Sequence, residues 1–144
     1  MNRATWLLAG ALALLVPFAA TAAERIQLIE HADTETVVDL GAKGDSVGDL
    51  LTFANPVYDA TNKTRLGTDQ GYCVRVVVGK SWECFWTLIL AGGQITVEGP
   101  FFDSGDSLMV VTGGTGKYAG AKGDLKLHPR DAKATSYDFV YELL

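Results

Sequence analysis

Few residues in this 144-residue chain stand at spacings that chemistry would need. Gly113-Gly114-Thr115-Gly116-Lys117 has the look of a phosphate-cradling loop. Such a loop needs a further Gly upstream of its Gly-Lys pair, where Val111 stands, and Ser or Thr after the Lys, where Tyr118 stands. The stretch therefore reads as a glycine-rich bend between strands. His31 and His128 are the only histidines, and neither sits at a ligand spacing with Cys73 or Cys84, so no metal is expected. There is no Gly-x-Ser-x-Gly for a serine triad. Asn62-Lys63-Thr64 fits the glycosylation triplet and reads here as a turn. Cys73 and Cys84 leave two readings open: a cross-strand disulfide, or a free Cys73 thiol facing a cavity.

The choice between them depends on where the chain resides. Arg3 is followed by an uncharged apolar run from Trp6 to Val16, then Pro17, then the small side chains of Ala20-Thr21-Ala22. This is the pattern of a cleaved secretion signal over residues 1–22, cut after Ala22 or Ala23. The apolar run falls short of the ~20 residues a membrane span needs, so no stable membrane insertion is expected after cleavage. Residues 23–144 form one domain. An exported protein, secreted or periplasmic, meets an oxidising compartment, which favours the Cys73–Cys84 bond. Loss of the signal removes Arg3 and no acid, leaving 11 basic and 17 acidic residues. The bases are scattered, which argues against a nucleic-acid partner.

The elements that must position these residues are strands. Arg25 to Glu30, Thr36 to Leu40 and Leu50 to Phe53 read as strands, the last ending at Asn55-Pro56 because proline cannot donate to a ladder. Gly71–Val78 and Trp82–Leu90 form a hairpin with Gly79-Lys80 near its tip, and Gln94 to Glu98 alternates strictly after the Gly92-Gly93 turn. Leu108–Thr112, Ala121–His128 and Thr135–Leu143 complete the set. In the last strand Thr135, Tyr137, Phe139, Tyr141 and Leu143 share one face. About eight strands without a 3.6-residue period predict an all-β, antiparallel sandwich or barrel. An aromatic inner face needs filling, or encloses room for a small apolar ligand.

Four ordered segments then carry a resemblance. Gly48-Asp49-Leu50-Leu51-Thr52-Phe53-Ala54-Asn55-Pro56-Val57-Tyr58 is similar to the GDL-x-x-F-x-N-x-x-Y segment of plant allene oxide cyclase. Gly67 with Gly71-Tyr72-Cys73, Gly93 to Pro100, and Thr112 to Gly123 resemble that family's next three motifs, and the last is also similar to the GGTG segment of dirigent proteins. Together they run from about residue 28 to 143 and identify an eight-stranded antiparallel β-barrel of the allene oxide cyclase and dirigent superfamily. The resemblance implies a hydrophobic pocket in which an unstable molecule is steered to cyclise, by positioning and by electrostatic help. Dirigent proteins use the same barrel to orient phenolic radicals.

Carried over by motif, Glu30 falls on the family's N-terminal strand glutamate, where it would stabilise charge on an opening epoxide. Asn55 falls on the asparagine that helps hold a water, and Cys73 on the pocket cysteine. Tyr137, Phe139 and Tyr141, on the aromatic closing strand, would contact the substrate with Cys73. The family's His-Ser-Pro is here His31-Ala32-Asp33, without the proline. The resemblance implies isomerase activity as an intramolecular cyclase, with no cofactor, and a homo-oligomer, since plant relatives form trimers. A second reading stays open: a non-enzymatic lipocalin-like carrier, or a dirigent-like protein that orients reactive intermediates.

Overall fold

The computed structural model describes residues 23–144, and the expected signal lies outside them. Period-two alternation builds nine strands: β1 (Glu24–His31), β2 (Thr36–Val38), β3 (Leu50–Asp59), β4 (Arg65–Val77), β5 (Ser81–Leu90), β6 (Gly93–Phe102), β7 (Ser107–Gly114), β8 (Gly123–Pro129) and β9 (Ser136–Leu143). One 3-10 turn, Gly116–Tyr118, follows β7. From β3 to β9 each strand pairs antiparallel with the next, β9 pairs β1, and β1 pairs back onto β3. Eight strands thus close a barrel, and β2 lies outside the ring on β3. Closure leaves no long free edge for another chain to pair with.

β1 and β2 share one edge of β3. β1 pairs with Val57–Asp59 and β2 with Leu50–Thr52. The gap between them corrects the expected strand end at Asn55-Pro56, since β3 continues to Asp59. The Ala54 N–H points into that gap, donating to Thr34 Oγ1 at 2.8 Å. Alternation turns the Pro56 nitrogen to the same edge, away from β4, so its missing donor breaks no ladder bond. Other bounds shift as well. β4 begins at Arg65 rather than Gly71, β6 continues to Phe102, and β2 stops at Val38.

The inward face of β9 is the expected one from Tyr137 on, with Tyr137, Phe139, Tyr141 and Leu143 all buried, whereas Thr135 precedes the strand and is exposed. Around Val57, Leu88, Ile95, Val111, Leu125 and Tyr141 the barrel is packed solid. Each such side chain contributes roughly 1.5–3 kcal/mol by leaving water. The glycine-rich segment seals this end. Thr115 N–H donates to the Gln94 carbonyl at 2.9 Å and Lys117 N–H to the Gly92 carbonyl at 2.8 Å. Gly116 has φ +59, and a Cβ there would lie 2.5 Å from the Gly92 oxygen. Only glycine fits both the conformation and the approach, and the bend it permits buries Tyr118 in the core.

Cys73 and Cys84 face each other across β4 and β5 and form a disulfide. The free-thiol reading of Cys73 is thereby corrected: directly opposed, inward-facing residues bring their sulfurs within bonding reach.

Candidate functional site

The other half of the barrel is not filled. A cavity of about 30 Å³ opens among inward side chains of β1, β3, β4, β5, β6, β8 and β9. That volume accepts a water or two, but not a drug-sized molecule without movement of its walls. Trp86, Phe139, Phe53, Phe101 and Tyr137 supply aromatic surface, and Glu30, Asn55, Asp69 and Glu35 the polar groups. Trp86 stacks on Phe139 (centroids 5.8 Å apart, planes at 21°), and Phe53 meets the Trp86 ring edge-on. Phe53 and Phe101 are only half-buried, so they are the rings best able to move.

Glu30 lies near the end of β1, between Val57 of β3 and Tyr137 of β9. Asn55 and Asp69 are directly opposed on β3 and β4, which puts both on the inner face. The segment 32–35, crossing the gap between β1 and β2, fixes Asn55. Its side-chain carbonyl accepts from the backbone N–H groups of Asp33 (3.1 Å) and Thr34 (3.0 Å) and from the Thr34 hydroxyl (3.0 Å). Three donors on one atom settle which way the amide points. The NH₂ must face Glu30, and it donates to Glu30 Oε1. Thr34, with its N–H and its hydroxyl, thus clamps the asparagine from this segment.

Two carboxyls therefore sit nearly dry side by side. Glu30 is 3% exposed and Asp69 1%. Burial, then the nearby Asp69, holds the Glu30 carboxyl well above the usual range, against the opposing effect of the Asn55 hydrogen bond. Burial pushes Asp69 up to about 7. Glu35, at the mouth, is raised by partial burial of its carboxyl. The arrangement can lend a proton, accept one, or stabilise a positive charge.

Of the residues singled out by motif, Glu30 and Asn55 are hydrogen-bonded to each other. Tyr137 and Phe139 line the wall, and so does Cys73 as half of the disulfide. Tyr141 lies deeper. It is fully buried, edge-on to Phe139, and outside the lining. Sequence reasoning missed Asp69, Trp86, Phe53, Phe101 and Glu35. The spacing Gly67, Asp69, Gly71, Cys73 carried the signal for Asp69, because these positions continue the inward period of β4. Gly71 is a requirement of the site: a Cβ there would lie 2.4 Å from Trp86 Cβ and 2.2 Å from the Phe85 carbonyl.

The family model described as allene oxide cyclase matches residues 26–132. Among solved structures, a pyocyanin demethylase superposes with TM-score 0.73 at 26% identity, covering 84% of this chain and all of that one. A pterocarpan synthase dirigent protein gives TM-score 0.74 at 12% identity, with 88% and 97% covered. An exo-specific intermolecular Diels-Alderase gives 0.66 at 15% identity, with 85% and 98% covered. The last two likenesses are ones of fold.

Proposed function

The chain belongs to the allene oxide cyclase family, and we propose that it is an exported barrel that binds a small hydrophobic molecule and directs its cyclisation or isomerisation. The observation that carries this reading is the Asn55-held Glu30 beside Asp69 at the base of an aromatic-walled cavity. Trp86, Phe139 and Tyr137 would fix the conformation of a flat or folded apolar substrate, converting a loose reaction into an oriented one. Glu30, oriented by Asn55, would stabilise charge that develops as a bond opens, in a site from which water is largely excluded. A proton on the Glu30–Asp69 pair would serve a leaving oxygen or a rearranging double bond. The solved structures of similar fold, described as a demethylase, a dirigent protein and a Diels-Alderase, support small-molecule chemistry as a use of this barrel.

Export is supported by the signal pattern of residues 1–22 and by the Cys73–Cys84 bond, which belongs to an oxidising compartment. The narrowness of the cavity bears equally on the second reading: a carrier, too, would need Phe53 or Phe101 to swing aside for loading.

The test is capture from a small-molecule extract, read by native mass spectrometry and product analysis. The expected result is that the wild-type protein enriches a molecule and releases it altered, while Glu30→Gln enriches it unaltered. Equal conversion by both would remove Glu30 from the chemistry. Retention without conversion by either would leave the carrier, and no retention by either would overturn both.

A further inference from the structure

The interior polar atoms that lack a partner concentrate at one place. Glu30 Oε2, both carboxylate oxygens of Asp69, the Trp86 indole N–H and the Tyr141 hydroxyl are all buried; the last two are within reach of each other, and the three acid oxygens have no partner on another residue. Three of these five are carboxylate oxygens, and Asp69 has no side-chain partner at all. Buried carboxylates are ordinarily paired with a cation or filled with hydrogen bonds. Among the described residues no Lys, Arg or His lines the cavity, and a third acid, Glu35, stands at its mouth. The walls are aromatic faces, whose quadrupoles also attract positive charge. The acids and the ring faces both favour positive charge, and the component the cavity does not itself supply is a cation.

We propose that this cavity is built for a flat organic cation with delocalised charge, its positive region against Asp69 and Glu30 and its ring against Trp86 and Phe139. The inference rests on the reading that the cavity is the ligand site and names the class of ligand. A fatty-acid anion would bring its carboxylate toward Glu35, Glu30 and Asp69, where no cationic side chain receives it. A neutral hydrocarbon would fill the aromatic space and leave the Asp69 oxygens bare. A flat cation satisfies both. Entry requires rotation of Phe53 or Phe101 at the mouth, a change of the side-chain kind that commonly accompanies binding.

Three bicyclic probes of nearly equal shape separate these cases: N-methylquinolinium, methylnaphthalene and naphthoate. Binding is measured by calorimetry and by quenching of tryptophan fluorescence. The protein is used as its expression host processes it, and a Phe53→Ala variant with a wider mouth is measured in parallel. The expected result is a Kd for the cation at least about ten-fold below that for the neutral probe, with the anion weakest. Asp69→Asn should remove about ten-fold of the cation's advantage and leave methylnaphthalene within about two-fold, and Glu30→Gln should act in the same direction. If methylnaphthalene binds as tightly as the cation, or if neither acid substitution changes the preference, the cationic class is wrong and the ligand site stands. If no probe binds the wild type or Phe53→Ala, the ligand site itself falls, and the inference with it.

Discussion

Asn55 donates its side-chain N–H to the buried Glu30 carboxylate while its own carbonyl is held by Asp33 and Thr34. The two residues lie on different strands that do not become neighbours until β1 closes onto β3. Asn55 therefore joins three things: the loop over the β1–β2 gap, the barrel seam, and the orientation of the acid. Asn55→Ala should leave the Asp33 and Thr34 N–H groups and the Glu30 carboxyl without their partner, at a cost of about 2–4 kcal/mol. Urea unfolding should show a lower midpoint with an unchanged slope. Thr34→Val should weaken the same clamp by about 1 kcal/mol.

The Asp69 carboxyl gives a pH dependence of known sign. Its pKa is about 7 in the fold and about 4 when unfolded. The folded state thus binds the extra proton, and this stability is fully present below about pH 4 and lost as pH rises through about 7. Glu30, raised also, acts in the same direction. Asp49 and Asp59, held low by hydrogen bonds from their own loops, act oppositely and weaken the fold in strong acid. Melting temperature should fall between pH 5 and pH 8 in roughly the window these shifts define. In Asp69→Asn the fall should be smaller, and the variant should melt higher than wild type at pH 8. A flat profile in wild type would show that Asp69 is not a buried acid.

The disulfide closes a loop with a sequence separation of 11 residues. Cys73→Ala with Cys84→Ala should lower stability by roughly 2–3 kcal/mol, read from denaturant midpoints. Intact mass should rise by about 2 Da on reduction. If the same spectrum lacks residues 1–22, it also demonstrates removal of the signal.

Arg75 anchors the rim of the barrel. It is buried, donates from Nη1 to both oxygens of Asp103 (2.7 and 2.8 Å), reaches Asp45 with Nε at 2.7 Å, and lies 3.9 Å over the Trp82 ring. Trp82 donates to the same Asp103 at 3.1 Å. Arg75→Met should destabilise by about 3 kcal/mol, because it strands Asp103 and releases the loop that carries Asp45. Arg75→Lys should restore little of this, since one ammonium cannot span Asp103 and Asp45 as Nη1 and Nε of the planar guanidinium do. Hydrogen exchange should report the release locally, in residues 41–49.

How much was legible varied with the kind of information each residue carries. The alternation of β9 announced its inward face, because period two is a local property and the burial of Tyr137, Phe139, Tyr141 and Leu143 follows from it. Glu30 and Asn55 were found by resemblance, as positions along segments that match the family's motifs. Asp69 was not, because its stretch, Gly67-Thr68-Asp69-Gln70-Gly71, holds two glycines and three polar residues and carries little strand propensity of its own. It is a strand because β3 and β5 flank it. Pro56 misled for the related reason that its cost depends on which edge its nitrogen faces, and the β1–β2 gap decides that.

By itself, then, the sequence determined strand periodicity, the tight bends at Gly116 and Gly92-Gly93, and the family. These follow from local sterics and from the order of motifs along the chain. Only the tertiary structure decided that Glu30, Asn55 and Asp69 meet, that Cys73 bonds Cys84, and that three carboxylate oxygens are left unpaired among aromatic rings. The physical reason is closure. A charge becomes costly or useful only once water is gone, and water leaves this site when β1 seals against β3 and β9.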